Sequence, residues 1–278
     1  MKTWRDPVVA FHSDDSPVGL HVRANWLGDS SARAKAARAA HDLRRAQEGD
    51  GSWRASVATT LQKLFDLWLL SPSADQSAHR ALDWLLEVGH EPRPYACYPG
   101  LFFHRMGRGD RAALRDMKGV PFTGGCCGFV KTGAVLFLAT LFDKSHAHVV
   151  EGYRTVEAHA KRSNGRLCSG SCANNLKLAL AAHPRHRKGE GMKHIISHLA
   201  AHQTPAGSWG GGIPFYPTFY LLSFLDDRAA RRQFDSALGR LRRTQNADGT
   251  WGRSNRHVAT WMVLDSLKRR GLHPSAGD

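Results

Sequence analysis

Three stretches of the chain repeat one pattern at one spacing: Leu43-x3-Gln47-x5-Trp53, Leu199-x3-Gln203-x5-Trp209 and Leu241-x3-Gln245-x5-Trp251, each with Gly-Ser or Gly-Thr directly before the Trp. Trp209 and Trp251 stand 42 residues apart. A period of roughly 20–50 residues marks a repeat architecture, in which one supersecondary unit is stacked on the next. Trp53 and Trp209 are separated by 156 residues, four steps averaging 39, so one unit between them must be short.

The segments between these turns alternate in character. Residues 31–46 are rich in Ala and Arg and begin at a Ser suited to capping, whereas residues 57–70 are apolar nearly throughout and stop before Pro72. The alternation continues with 74–88 and 97–106, a short 110–117 before 128–142, then 147–162 and 171–182, 191–202 and 215–225, and 228–244 and 258–269. A helix apolar all round belongs inside a fold and an amphipathic one at its edge. No Val/Ile-rich alternating segment argues for strands. Six polar-then-apolar pairs predict an all-α (α/α)6 toroid over 31–278: six inner helices around a central funnel and six outer helices covering them. Residues 1–30, without clear periodicity, are expected to form an N-terminal arm.

At these turns the chain resembles the terpenoid cyclase and protein prenyltransferase superfamily, whose QW repeat has the Leu-x3-Gln-x5-Gly-Ser/Thr-Trp form. The resemblance implies that Gln satisfies free N–H groups where an inner helix starts and that Trp stacks on a neighbour. It covers about residues 31–270 as architecture. The superfamily's chemistry is less visible. The Asp-x-Asp-Asp that protonates a polyene is missing, and neither Asp14-Asp15 nor Asp226-Asp227 continues as Asp-Asp-x-x-Asp. The prenyltransferase zinc ligands, an Asp-x-Cys pair and a later His, are matched only by His257 at an inner helix start.

Superimposing the units in the 42-residue register puts Cys168 on Gly210 and Gly252, and Cys126 on Cys168. The third and fourth units thus replace the Trp turn with Gly124-Gly125-Cys126-Cys127-Gly128 and with the loop holding Cys168 and Cys172. Adjacent repeats set equivalent loops side by side, so these thiols are expected to converge at one mouth of the funnel, with Cys97 in looser register. Soft thiolates select zinc or an iron–sulfur cluster. Five cysteines are an odd number in a chain without a recognisable secretory segment, which disfavours a disulfide framework. Lanthionine synthetase cyclases, also toroids, hold zinc with a Trp-Cys-x-Gly and a Cys-His-Gly loop. Leu167-Cys168-Ser169-Gly170 is similar to the first and Cys126-Cys127-Gly128 to the second, in reversed order and with Cys in place of His.

These observations yield a set of expectations. Cys126, Cys127, Cys168 and Cys172 are candidate ligands of zinc, or alternatively of an iron–sulfur cluster. Cys127, Cys97 and His257 are candidate nucleophile, acid or base. Tyr216, Tyr220, Trp261 and His104 are candidate cavity residues. Asp66 and Lys131, charged residues inside apolar helices, must be paired or face a cavity. The leading expectation is a metal-dependent enzyme acting on a small apolar or thiol-bearing substrate. The alternatives are a non-catalytic binding module with a basic rim for an anionic lipid or partner protein, and a divergent terpenoid-cyclase-like enzyme. The net charge of +15, from 39 Lys and Arg against 24 Asp and Glu, favours anionic partners, but its scatter argues against nucleic acid. No run approaches the roughly 20 apolar residues that span a bilayer, and a cytoplasmic location is expected.

Overall fold

The computed structural model describes residues 4–87, 90–91, 103–104, 107–168 and 171–273. In chain order its helices are α1 (Pro17–Trp26), α2 (Ser30–Arg45), α3 (Val57–Leu70), α4 (Gln76–Glu87), α5 (Arg108–Arg115), α6 (Cys127–Leu141), α7 (Ala147–Arg162), α8 (Cys172–Ala182), α9 (Glu190–His202), α10 (Phe215–Leu222), α11 (Arg228–Thr244) and α12 (Arg256–Arg269). The only strands among the described residues are the two-residue pair β1 (His90–Glu91) and β2 (Phe103–His104). The fold is an all-α toroid.

Its inner ring closes in the order α1, α3, α6, α8, α10, α12 and back to α1, each helix packing on the next. Outside them lie α2, α4, α7, α9 and α11. The layers follow the predicted polarity. In α6, twelve consecutive residues from Gly128 to Ala139 are buried, whereas α2 buries only Ala32, Ala36 and Ala40. The closest inner pair is α6 with α8, because Gly133 lies against the backbone of Asn175, where a Cβ would approach to 2.5 Å.

Two expectations are corrected. Residues 17–26 of the segment read as an arm form α1, the inner helix that closes the ring between α3 and α12. Ser16 caps it, its Oγ accepting from the N–H of Gly19, and Pro17 opens it. The helix showed no periodicity because Val18, Leu20 and Val22 are buried together with Arg23, whose guanidinium pairs with Asp15 and Asp29. The inner helix expected over 97–106 lies largely outside the described residues, but Phe103–His104 within it is extended and paired to β1.

The repeated turn works differently from what the resemblance implies. Gln47 donates to the carbonyl oxygens of Gly51 and Ser77 and accepts from the Ser77 hydroxyl, so it ties its own turn to the next outer helix, α4. Gln203 likewise donates to the carbonyl of Gln233 in α11. The inner helix start at α3 is capped instead by Ser56 and by the Asp110 carboxylate, which accepts from the N–H groups of Val57 and Ala58. The turn glycines bring the neighbouring chain close. Gly51 sits under the carbonyl of Arg80, Gly207 under that of Ser236 and Gly249 under that of Asp6, all at positive φ. Trp53 and Trp251 each donate the indole N–H to the carbonyl of the Leu ten residues earlier, both at 3.0 Å.

Trp209 is buried in the same way, but its indole nitrogen has no partner among the described residues. Trp53→Phe and Trp251→Phe each orphan a buried Leu carbonyl and should lose about 1–3 kcal/mol in urea unfolding. Trp209→Phe, which breaks no such bond, should lose clearly less. Equal losses at all three positions would show that the indole hydrogen bond is not what stabilises the turn.

Candidate functional site

All six inner helices start at one face of the toroid, so the chemistry-bearing loops gather there. Segment 117–123, between α5 and α6, runs across that face. Gly119 accepts from Gln62 in α3 at 3.4 Å and donates to Asn255, the residue before α12, at 3.3 Å. Thr123 exchanges hydrogen bonds with Asn175 of α8 and donates to the carbonyl of Ser171. Because α3, α8 and α12 are not neighbours in the ring, a chain bonded to all three must span its mouth. Phe122 points inward and meets Phe65 and Phe137, with ring centroids 6.1 and 5.7 Å away.

Beneath it lies a packed aromatic cluster. Phe65, Phe137, Tyr220 and Trp261 are at most 1% exposed, and Trp261 packs against Phe65, Trp68 and Tyr220. A side chain beside a water-sized void would show surface to it, so Tyr220 and Trp261 do not line an open cavity. They form an aromatic core, and burial raises the Tyr220 pKa. Tyr216 is half-buried against Gly252. Cys97 and the side chain of His104 lie outside the described residues.

An open cavity of about 640 Å3 lies instead beside Asp66, among α2, α3 and the start of α1. Leu43, Ala46, Trp53 and Leu70 give it apolar walls, and Lys63 lies at its edge. Asp66 is 7% exposed. Its Oδ1 accepts from the Gln62 amide at 3.2 Å, and Lys63 Nζ is 3.5 Å from Oδ2. Burial raises the Asp66 pKa, outweighing the lowering by Lys63 and Gln62. The amide of Gln62 therefore touches both the segment across the mouth and the carboxyl in the cavity.

The thiols are placed at the same face but are not gathered. Cys126, Cys127 and Cys168 are free and half-buried. The Cys127 thiol lies 3.7 Å from the Arg111 carbonyl, and burial, followed by the neighbouring Cys126, pushes its pKa up. The side chain of Cys172 lies outside the described residues. Among the described residues, the one group of three or more possible ligands within 4.8 Å of one another is Asp83, Glu87 and His146. That group is already internally paired, with Lys144 on Asp83 at 2.6 Å and His146 on Glu87 at 3.2 Å. The sulfurs of Cys126, Cys127 and Cys168 do not all lie within 4.8 Å of one another, and the fourth candidate ligand, Cys172, has its side chain outside the described residues. His257 is half-exposed, with Nδ1 2.5 Å from Asp14 Oδ2, and forms a rim pair between α12 and the residues before α1. Lys131 is fully buried, and burial lowers its pKa to about 7.

The toroid matches solved structures along nearly all of its length. A variant of the type II terpene cyclase MstE from Scytonema, in complex with geranylgeranyl dihydroxybenzoate, is 13% identical with a TM-score of 0.56, over 96% of this chain and 87% of that one. Another variant, with the product merosterolic acid A, is 16% identical with a TM-score of 0.57, over 96% and 87%. A protein from Actinoplanes is 19% identical with a TM-score of 0.58, over 96% and 90%. The chain has the terpene-cyclase-like toroid fold. No family model and no curated protein sequence matches it. Among the described residues no helix is long and apolar enough to cross a membrane.

Sequence reasoning noted Asp66 as an odd charge but missed Gln62 and the segment 117–123. The signal was the Gly119-Val-Pro-Phe122 run, apolar yet unable to extend a helix through Pro121. Two measurements follow. An ionised Asp66 costs folding energy above the ordinary carboxylate range, because its folded pKa is raised, and this cost is absent below both pKa values. Asp66→Asn should therefore raise Tm near pH 7, with the gain closing toward about pH 3. In the folded protein, Cys126, Cys127 and Cys168 should titrate with a thiol reagent, Cys127 most slowly at neutral pH. About one zinc per chain that blocks this titration would restore the cysteine-centred reading.

Proposed function

We propose that this protein is an enzyme of the terpenoid-cyclase type, in which Asp66 protonates a carbon–carbon double bond of a small, apolar, prenyl-bearing substrate. The observation that carries the reading is Asp66 itself. It is a buried carboxyl on an inner helix, beside an open cavity whose walls combine Leu43, Ala46, Trp53 and Leu70 with the charged Asp42, Glu48, Arg54 and Lys63, and burial raises its proton affinity. Burial keeps the Asp66 carboxyl protonated closer to neutral pH, so a proton is at hand, and Gln62 and Lys63 lie where they can stabilise the carboxylate that transfer leaves behind.

Gln62 defines the acid's geometry. Its N–H donates to Oδ1, and Lys63 Nζ lies 3.5 Å from Oδ2, so each carboxyl oxygen has a donor beside it. Transfer breaks the carboxyl O–H bond, forms a C–H bond at the less substituted alkene carbon and leaves a tertiary cation. The next double bond of the chain closes on that cation. A final proton loss restores an alkene, with no net consumption of protons. Once ionised, Asp66 is held by Gln62 and Lys63 until it is reprotonated. The fold shared with a cyclase that binds geranylgeranyl dihydroxybenzoate supports a substrate of that chemical kind. The motif Asp-x-Asp-Asp is not required by this geometry, since one buried carboxyl with one amide donor supplies the acid.

Incubation with a panel of C15 and C20 prenyl alcohols and prenylated hydroxybenzoates in D2O tests the proposal. The expected product is isomeric with its substrate and carries one carbon-bound deuterium. Asp66→Asn should lower turnover by about 10³-fold or more while the folded state is retained, since loss of a general acid typically costs about 10²–10⁴-fold. Undiminished turnover in Asp66→Asn would remove Asp66 from the chemistry.

A further inference from the structure

We infer that the seam where α9 packs over α8 is a binding site for a compact tetrahedral oxyanion, either inorganic phosphate or the phosphate group of a small metabolite. Lys177 and Asn174 of α8 would hold it from the inner layer, and Arg166, His198 and His202 from the outer one. The site is separate from Asp66 and does not depend on the cyclase-type reading.

The repeat itself marks the place. Phe219, 42 residues after Lys177, is fully buried in α10 and stacks on Phe234 of α11, with ring centroids 4.2 Å apart. One unit earlier the corresponding positions hold Lys177, only 4% exposed, and Met192. An aromatic pair that fills one seam thus gives way to a buried ammonium in the seam before it. Asn174, one turn before Lys177 on the same helix, is 2% exposed. Its Oδ1 accepts from the Thr218 hydroxyl at 3.2 Å, and its Nδ2 is buried with no acceptor among the described residues. On the outer side, Gly165 is pressed so closely on α9 that a Cβ there would run into the His194 carbonyl. That contact brings Arg166 to the stretch of α9 that carries His198, whose ring lies 4.4 Å from that of His202.

Every polar group here is a donor or an imidazole, and no carboxylate answers them. Burial lowers the Lys177 pKa to about 8 with no acid to hold it up. Burial first, then the charges of Lys177, His202 and Arg166, lower the His198 pKa to about 4. A buried charge without a counter-ion costs stability, and a buried donor without an acceptor adds to that cost. A bound anion removes both costs at once. Donors on α8, on α9 and in the loop before α8 surround the seam from three directions. A tetrahedral oxyanion accepts in all of them, whereas a carboxylate accepts in one plane. Lys177 and Arg166 together also match the charge of a phosphate, about −1.5 to −2 at neutral pH.

The test titrates inorganic phosphate and glycerol 3-phosphate into the full chain, with sodium chloride at matched ionic strength as the reference. The readouts are Tm and the titration of the His198 imidazole by NMR. Phosphate should raise Tm more than chloride does, because it binds the folded state alone. It should also lift the His198 midpoint from about 4 by about one pH unit or more, because a dianion beside the ring favours its charged form. A response to both compounds assigns a phosphate-bearing metabolite, and a response to inorganic phosphate alone assigns the free ion. Lys177→Met should raise Tm in phosphate-free buffer, since it removes an unpaired buried charge, and should weaken phosphate binding about tenfold or more. Lys193→Met, on the exposed side of α9 and paired with Glu190, should leave binding unchanged. A phosphate response no larger than that of chloride, or one that survives intact in Lys177→Met, would show that the seam binds no specific anion.

Discussion

The toroid depends on one recurring contact, in which the glycine-bearing turn of one unit is pressed under a main-chain carbonyl of the next. Gln supplies hydrogen bonds across the same junction, and Trp53 and Trp251 tie their turns back to their own outer helices. At the last junction the partner is the start of the chain. Gln245 accepts from the Arg5 N–H and donates to the Arg5 carbonyl, and Gly249 lies under Asp6. Trp4 packs edge-on against Trp251, with centroids 5.2 Å apart. The extended residues 4–6 thus stand where the other units place an outer helix, and α1 then completes the inner ring. A ring stabilised by neighbour contacts needs this closure, because an open end would leave the apolar sides of α12 and α3 to water.

That scaffold frees two places from structural duty. One is Asp66, a carboxyl on the most apolar kind of helix in the fold, which costs stability when ionised and is retained beside a cavity. Strained or costly groups are kept where function demands them, so the stability cost and the proposed acid role are two views of the same burial. The other is the mouth, where the turn motif gives way to the glycine and cysteine loops. The space that a Trp turn would fill before α6 is occupied by a crossing segment whose Phe122 enters the aromatic core.

The register of 42 residues was a sound guide to helices, and for the thiols it speaks only to loop level. It placed Cys126 and Cys168 at one loop level, and they do lie at the same face. The two loops touch, Ser171 bonding to Thr123 and Gly124, and side-chain direction decides whether sulfurs on such neighbouring loops meet. Cys127 turns toward the Arg111 carbonyl rather than toward a shared ion. The aromatic residues were correctly assigned to the interior, but Tyr220 and Trp261 fill it instead of lining a void. An aromatic ring reads the same in sequence whether it walls a cavity or plugs one.

Periodicity, the repeated turn and the alternation of polar and apolar helices determined the toroid, because each is a local property of the chain. The hidden helix Pro17–Trp26 escaped that reading because only Asn25 of its ten residues is exposed and the buried set includes Arg23, which leaves little amphipathic signature. Only the tertiary structure decided what the chemistry can be. The raised proton affinity of Asp66 is a matter of burial, and the closure of the mouth depends on bonds from Gly119 to residues 57 and 136 positions away. Desolvation and long-range contact arise when the ring closes, and neither is written in any window of sequence.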